Sequence, residues 1–392
     1  MLKAAGAGFG PAMAGLSKAE DASVCCSKAK QCMTVRSVVV VAAVLGLIVC
    51  GECVGARPWW TGARTSPKLF MPLPDYCNTP DGMTLEPITG NIILSCPNFN
   101  DTTYPGVLMK IDRANKLSLF YPMPVHPETK RGCPMGLDFG PDGNLYVADN
   151  QYFYDKEYKS RLIRVLIRGG IPLAAEVVVE GFKLSNAVIW NGESIYVSET
   201  YFDLPDRPGS SGIYRFKLGE LQKGTVRLKP DATDPHLIAT FTTKPNKRGD
   251  VSGADGLTFD SKGNLYTGNF GDGVMYKITF DKSGRVTSNE VFVKDPKLTC
   301  VDGLFCDVKT DEIYVADMEK NAIQIVSSSG EVRTLWENAD TDGTGGRLDG
   351  PCESLMRGDE LIVANFDMPL AGLRNTKHDR PHTLSVIKLK DQ

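Results

Sequence analysis

Histidine is scarce in this chain, with 4 among 392 residues, and tryptophan is equally rare. No stretch spells Gly-x-Ser-x-Gly, His-Glu-x-x-His or a Gly-Lys-Ser/Thr phosphate loop. Their absence removes the serine-hydrolase elbow, the zinc-protease helix and the P-loop from consideration. A formal net charge of −3 and a pI near 5.9 leave no broad basic surface, so nucleic acid is not an expected partner. No segment sustains a 3.6-residue apolar period. The one long apolar run, residues 37–50, is shorter than the roughly 20 residues that span a bilayer.

What is present is repetition. Residues 253–273, GADGLTFDSKGNLYTGNFGDG, read as two alternating runs joined by a Ser-Lys-Gly-Asn turn. The same layout recurs at 78–99, 133–153, 184–202, 300–321 and 350–367. Anchored on the start of the second run, at Ile92, Leu145, Ile195, Leu265, Ile313 and Leu361, the spacings are 53, 50, 70, 48 and 48 residues. Periods of roughly 40–50 residues with several strands each predict an all-β fold, a six-bladed β-propeller of four-stranded antiparallel blades around a central channel. The propeller is expected over residues 73–389, after a linker at 57–72. The long spacing is assigned to an insertion at 201–247, outside the core of its blade.

Residues 1–56 read as a leader. From Met33, Arg36 supplies a positive start, residues 37–50 an apolar core, and Val54-Gly55-Ala56 a cleavable end. The expectation is a secreted or exported monomer, tethered to a membrane if the segment is not cleaved. Lipid attachment at Cys50 or Cys53 is a further alternative. Six cysteines follow the leader, at 77, 96, 133, 300, 306 and 352. An oxidising compartment would permit disulfides among them; buried core thiols are the other reading. Asn100-Asp101-Thr102 is a glycosylation sequon.

In a propeller the first strand of each blade lines the channel, so the residues opening six first strands converge on one mouth. Here they are Asp81, Met135, Asn186, Asp255, Asp302 and Glu353. Four carboxylates and an amide in one channel repel unless neutralised, and such oxygens suit a hard divalent cation, Ca²⁺ foremost, with Zn²⁺, Mg²⁺ or Mn²⁺ as alternatives. The competing reading is that the Asp-Gly pairs are turn residues. The ends of the second strands, at Asn98, Asp149, Asn150, Glu199, Asn269, Asp317, Asn365 and Asp367, are expected to crown the same mouth. Arg131 could hold an anionic substrate group and His126 or His236 could assist, against the plainer reading of surface side chains. Residues 338–349, NADTDGTGGRLD, have calcium-loop spacing without flanking helices and read as a turn-rich connection.

Ser185-Asn186-Ala187, and Ala254-Asp255-Gly256 followed by Gly263-Asn264-Leu265-Tyr266, resemble motifs of the regucalcin (senescence marker protein) and gluconolactonase family. The resemblance covers about residues 73–389. It implies a six-bladed propeller with one divalent metal in the channel and hydrolysis of lactones or related esters, here on a sugar-derived small molecule. By that likeness Asn186 and Asp255 would be metal ligands, with Asp255 also the catalytic base. The family's Gly-Glu-Gly-Pro string does not precede Asp81, and Glu353 is the replacement for its Glu. Met135 stands where a further Asn is expected, leaving Asp81 or Asp302 to compensate. Two alternatives remain: a non-catalytic propeller stiffened by calcium that binds a partner, and a synthase of the strictosidine synthase type that relies on a channel Glu.

Overall fold

The computed structural model describes residues 65–204 and 206–389. The leader expected at 1–56, with its signal, anchor and lipidation alternatives, lies outside the described residues. Among the described residues no helix is long and apolar enough to cross a membrane.

Six sheets form six blades. Blade 1 runs through Met83–Leu85, Ile92–Cys96, Val107–Ile111 and Leu117–Pro122, and the other blades repeat this meander with inner strands beginning at Pro134, Ser185, Ala254, Leu304 and Pro351. The inner strands touch one another in cyclic order, the sixth meeting the first. The ring is sealed by Lys68–Pro72, which lies in the stretch read as linker and pairs antiparallel with Thr383–Lys388 as the outermost strand of blade 6. Closure in this way leaves few free sheet edges.

The sequence explains each layer. Second strands such as Ile92–Cys96 and Leu145–Asp149 are buried at every position because blades pack on both their faces. Outer strands such as Val286–Val293 alternate towards solvent. The hairpin turns are built by aspartate: Asp260 Oδ1 accepts N–H groups from Lys262 and Asn264 at 3.0 and 2.8 Å, while Gly263 takes the left-handed φ of +78°. Asp142 and Gly143 repeat the device in blade 2.

The stretch 201–247 is not the excluded insertion that its length suggested. Ser210–Lys217 and Leu237–Thr242 are the third and fourth strands of blade 3. Between them a short helix, Leu218–Leu221, buries both leucines, and Val226–Arg227 pairs in parallel with Val179–Glu180 of blade 2. Those buried leucines join the apolar core that packs blade 2 against blade 3.

All six described cysteines are buried free thiols, which matches the core-residue reading and not the disulfide one.

Candidate active site at the channel mouth

Close approach of the inner strands shapes the channel. A Cβ at Gly82 would lie 2.7 Å from the Met135 carbonyl, one at Gly136 2.7 Å from that of Asn186, and one at Gly256 2.3 Å from that of Asp302. None of these glycines has positive φ. The glycine after Asp81, Met135, Asp255 and Asp302 is therefore required by the neighbouring blade's backbone, and the turn reading of the Asp-Gly pairs does not hold. The pairing register also slips at the openings of blades 2, 3, 4 and 6, between Ser185 and Val188 or Ala254 and Leu257 for example. Such bulges re-aim side chains, here towards the channel axis.

A cavity of about 320 Å³ at this mouth is lined by Asp81, Met135, Asn186, Asp255 and Asp302. Asn186 Nδ2 donates to Asp255 Oδ1 at 2.7 Å. Asp255 and Asp302 are hydrogen-bonded to each other, carboxyl to carboxylate. Glu353 does not line this cavity, although its charge acts on Asp302 and feels those of Asp81 and Asp255. It borders a second cavity at the opposite end of the channel and accepts the Ser354 N–H at 2.7 Å.

The electrostatics follow from enclosure. Asp81, Asn186 and Asp302 keep partial exposure to the cavity, yet the walls exclude most water. Burial pushes Asp81 up to about 7, and burial together with the Asp81 charge pushes Asp255 up to about 8. Asp302 and Glu353 are held well above the usual carboxyl range by burial and by the neighbouring acids. Among the described residues no Lys or Arg forms an ion pair with any of the four. They remain tolerable only as protonated groups or with a cation among them.

The donor chemistry of Asn186, Asp255, Asp302 and Asp81, all oxygen-bearing and mutually repelling, fits a hard cation. Among the described residues no three His, Cys, Asp or Glu side chains converge into a compact metal cluster. In the arrangement shown, the Asn186 amide and the adjacent Asp302 carboxyl hold Asp255.

The residues ending the second strands do something else. Asn98 accepts the Asn78 N–H at 2.9 Å, Asp149 that of Cys133 at 2.7 Å, Asp317 that of Thr299 at 3.1 Å and Asn365 that of Asp349 at 3.1 Å. Glu199 takes two, from Lys183 and Leu184, at 2.7 and 2.6 Å. Each clamps the chain arriving at its own blade. Asp149 also pairs with the buried Arg161 at 2.6 Å. Asn269 is turned to Asp272 instead, at 3.0 Å.

His126 is buried in its own turn, its Nδ1 accepting the Glu128 N–H at 3.1 Å. His236 is tied to Asp234 and Glu220 at 2.8 and 2.9 Å. Arg131 donates to the Thr102 carbonyl, lies over the Tyr154 ring, and lines a separate cavity. In the 338–349 loop, Asn338 and Thr341 bond to Leu348 and Asp342 pairs with Arg347, whereas Asp340 accepts from Thr376 outside the loop and Asp349 Oδ1 is buried without a hydrogen-bond partner.

No family model and no curated protein sequence matches this chain. Solved structures do. A luciferin-regenerating enzyme superposes with a TM-score of 0.56 at 14% identity, covering 83% of this chain and 97% of that one. A regucalcin from Agrobacterium tumefaciens, described as calcium-binding, gives 0.52 at 13%, covering 83% and 93%. A gluconolactonase from Xanthomonas campestris gives 0.51 at 11%, covering 85% and 99%. The likeness is one of fold. Its neighbours are gluconolactonase-like and regucalcin-like propellers, and what this mouth does must be argued from its own residues.

Sequence reasoning missed most of the cavity wall. Tyr152, Phe153, Arg248, Asp250, Ser252 and Phe270 all line it. They belong to loops after the second strands or before blade 4, where no repeat marks them. One signal was available: an apolar residue follows the end of the second strand in Asn269-Phe270, Asp317-Met318 and Asn365-Phe366, and all three line the cavity.

Proposed function

We propose that this mouth hydrolyses a lactone or related carboxylic ester, with a divalent cation, Ca²⁺ foremost, held by Asn186, Asp255, Asp302 and Asp81. The observation that carries the reading is a set of uncompensated carboxyls at the base of a cavity of ligand size. When bound, the cation would polarise the ester carbonyl and make a neighbouring water more acidic. The chain supplies the rest. Asp255, oriented by the Asn186 N–H, accepts the proton of the attacking water and returns it to the leaving oxygen. Asp302, hydrogen-bonded to Asp255, holds the second position of that proton. The apolar wall above keeps bulk water from the pair. The leader expected at residues 1–56 would put the reaction outside the cytosol, at a membrane if the segment is not cleaved.

The test is metal content together with calcium-dependent turnover of a lactone panel by the full chain and by Asp255→Ala. Stoichiometric metal with turnover abolished in the variant supports the hydrolase. Metal without turnover supports the binding-module alternative. That alternative draws on one observation: among the described residues the acids of the mouth do not converge into a compact metal cluster.

A further inference from the structure

The sugar-derived substrate suggested by resemblance does not suit this cavity. Its upper wall is aromatic. The Tyr152 and Tyr201 rings stack at 4.7 Å and 16°, Tyr152 meets Phe153 at 6.2 Å, and Phe153 meets Phe99 at 4.8 Å, with Phe366 beyond at 6.2 Å from Phe99. Phe153 is 47% exposed, so this apolar surface faces the opening and is not closed off as core.

The polar groups of the wall are mostly engaged with each other. Thr200 Oγ1 donates to the Ala254 carbonyl at 2.9 Å, Ser252 Oγ donates to Asp250 at 2.6 Å, and the Tyr201 hydroxyl bonds to Ser252. Along this upper wall a polyol, with a hydroxyl on nearly every carbon, would lose its water without replacement and would find free acceptors only at the acidic base. Arg248, the cation of the wall, lies over Phe270 at 5.4 Å and is already neutralised by Asp250 at 3.5 Å and Glu319 at 3.3 Å. It offers no free charge to an anionic ligand.

Two donors of the wall are left without a hydrogen-bond acceptor, Arg248 Nε, which keeps only its ion pair, and Asn150 Nδ2. Asn150 is 1% exposed, its Oδ1 accepts the Tyr152 N–H at 2.9 Å, and its Nδ2 has no partner although the residue lines the cavity. A buried amide N–H of this kind calls for an acceptor on the ligand.

We infer that the mouth takes a neutral, aryl-faced ring ester, its flat apolar face against the Tyr201–Tyr152–Phe153 wall and one oxygen accepting from Asn150 Nδ2. The inference deepens the hydrolase reading and rests on its cavity being the ligand site. It replaces the polyol with an aromatic lactone as the substrate class.

The test measures binding, not turnover. Calorimetric titrations of the full chain, freed of divalent cations with EDTA, use tetralone, an aryl ring ketone that cannot be hydrolysed, and inositol, a neutral polyol ring. The expected result is saturable tetralone binding and none for inositol. Phe153→Ala, at an exposed position, and Asn150→Ala, which removes the donor, should each weaken tetralone by about tenfold, with folding verified by circular dichroism. Inositol binding as tightly as tetralone, or both variants retaining full affinity, would overturn the assignment. Tetralone binding without turnover of any lactone would sink the hydrolase reading while leaving the pocket assignment standing. Aldonolactone turnover without tetralone binding would do the reverse.

Discussion

Two sets of carboxylate and amide side chains recur in register through the blades, one opening the first strands and one ending the second strands. Their compositions are nearly the same, and their surroundings are opposite. Asp149, Glu199, Asp317, Asn98 and Asn365 each receive backbone N–H groups that no strand ladder satisfies. Asp81, Asp255 and Asp302 receive little beyond each other and the Asn186 amide. The first set finishes the blades. The second leaves an electrostatic demand that a ligand can meet. Residue type does not separate the two; what does is whether a donor is waiting at the side-chain oxygen.

Breaking the clamp set should cost the most stability. Asp149→Ala removes the acceptor of the Cys133 N–H and strands Arg161, whose side chain is 7% exposed, without its partner. A loss of about 3–5 kcal/mol is expected in chemical denaturation. Asp255→Asn should do the opposite to the two readouts: turnover falls by about 10²–10⁴-fold while the cation-free fold is unharmed, because a buried acid beside two others is removed. Equal destabilisation by both substitutions would erase the distinction between the sets.

Gly256→Ala tests the channel packing that aims the opening residues. Its new Cβ would meet the Asp302 carbonyl at 2.3 Å, and overpacking of this kind costs about 1–3 kcal/mol, with Asp302 displaced and cation affinity reduced alongside. An unchanged melting temperature would mean that the inner strands can separate freely.

A separate readout is pH dependence. The folded, cation-free channel holds protons at Asp81 up to about pH 7 and at Asp255 up to about pH 8, whereas the unfolded chain releases them near the ordinary value of 3.8. The folded state binds more protons in that window. This contribution is therefore fully present below about pH 4 and is lost as the pH rises towards 8, and Asp255→Asn should flatten the slope. A saturating divalent cation should reverse the decline.

The repeats made the fold legible because each blade must place an apolar second strand between two neighbours, and Ile92, Leu145 and Leu265 mark those strands plainly. The opening residues were legible for the same reason. Their separation from the clamps was not, since it depends on whether a loop from 16 or more residues upstream delivers an N–H to the side chain. Glu353 occupies an opening position in sequence, yet its side chain turns to its neighbour's N–H and the far cavity. The aromatic wall was hidden because Tyr152 and Phe153 sit in a loop and Tyr201 at the end of a second strand, and their meeting is set only by ring closure.

The central claim is that the mouth carboxyls await a counter-charge. Calcium titration of the full chain at pH 7 by calorimetry, in two buffers of different ionisation enthalpy, tests it most directly, because a cation entering this site must displace protons. The account predicts one site, proton release on binding, tighter binding at higher pH, and loss of the site in Asp255→Asn. Calcium binding with no proton release, or binding unchanged by that substitution, would contradict it.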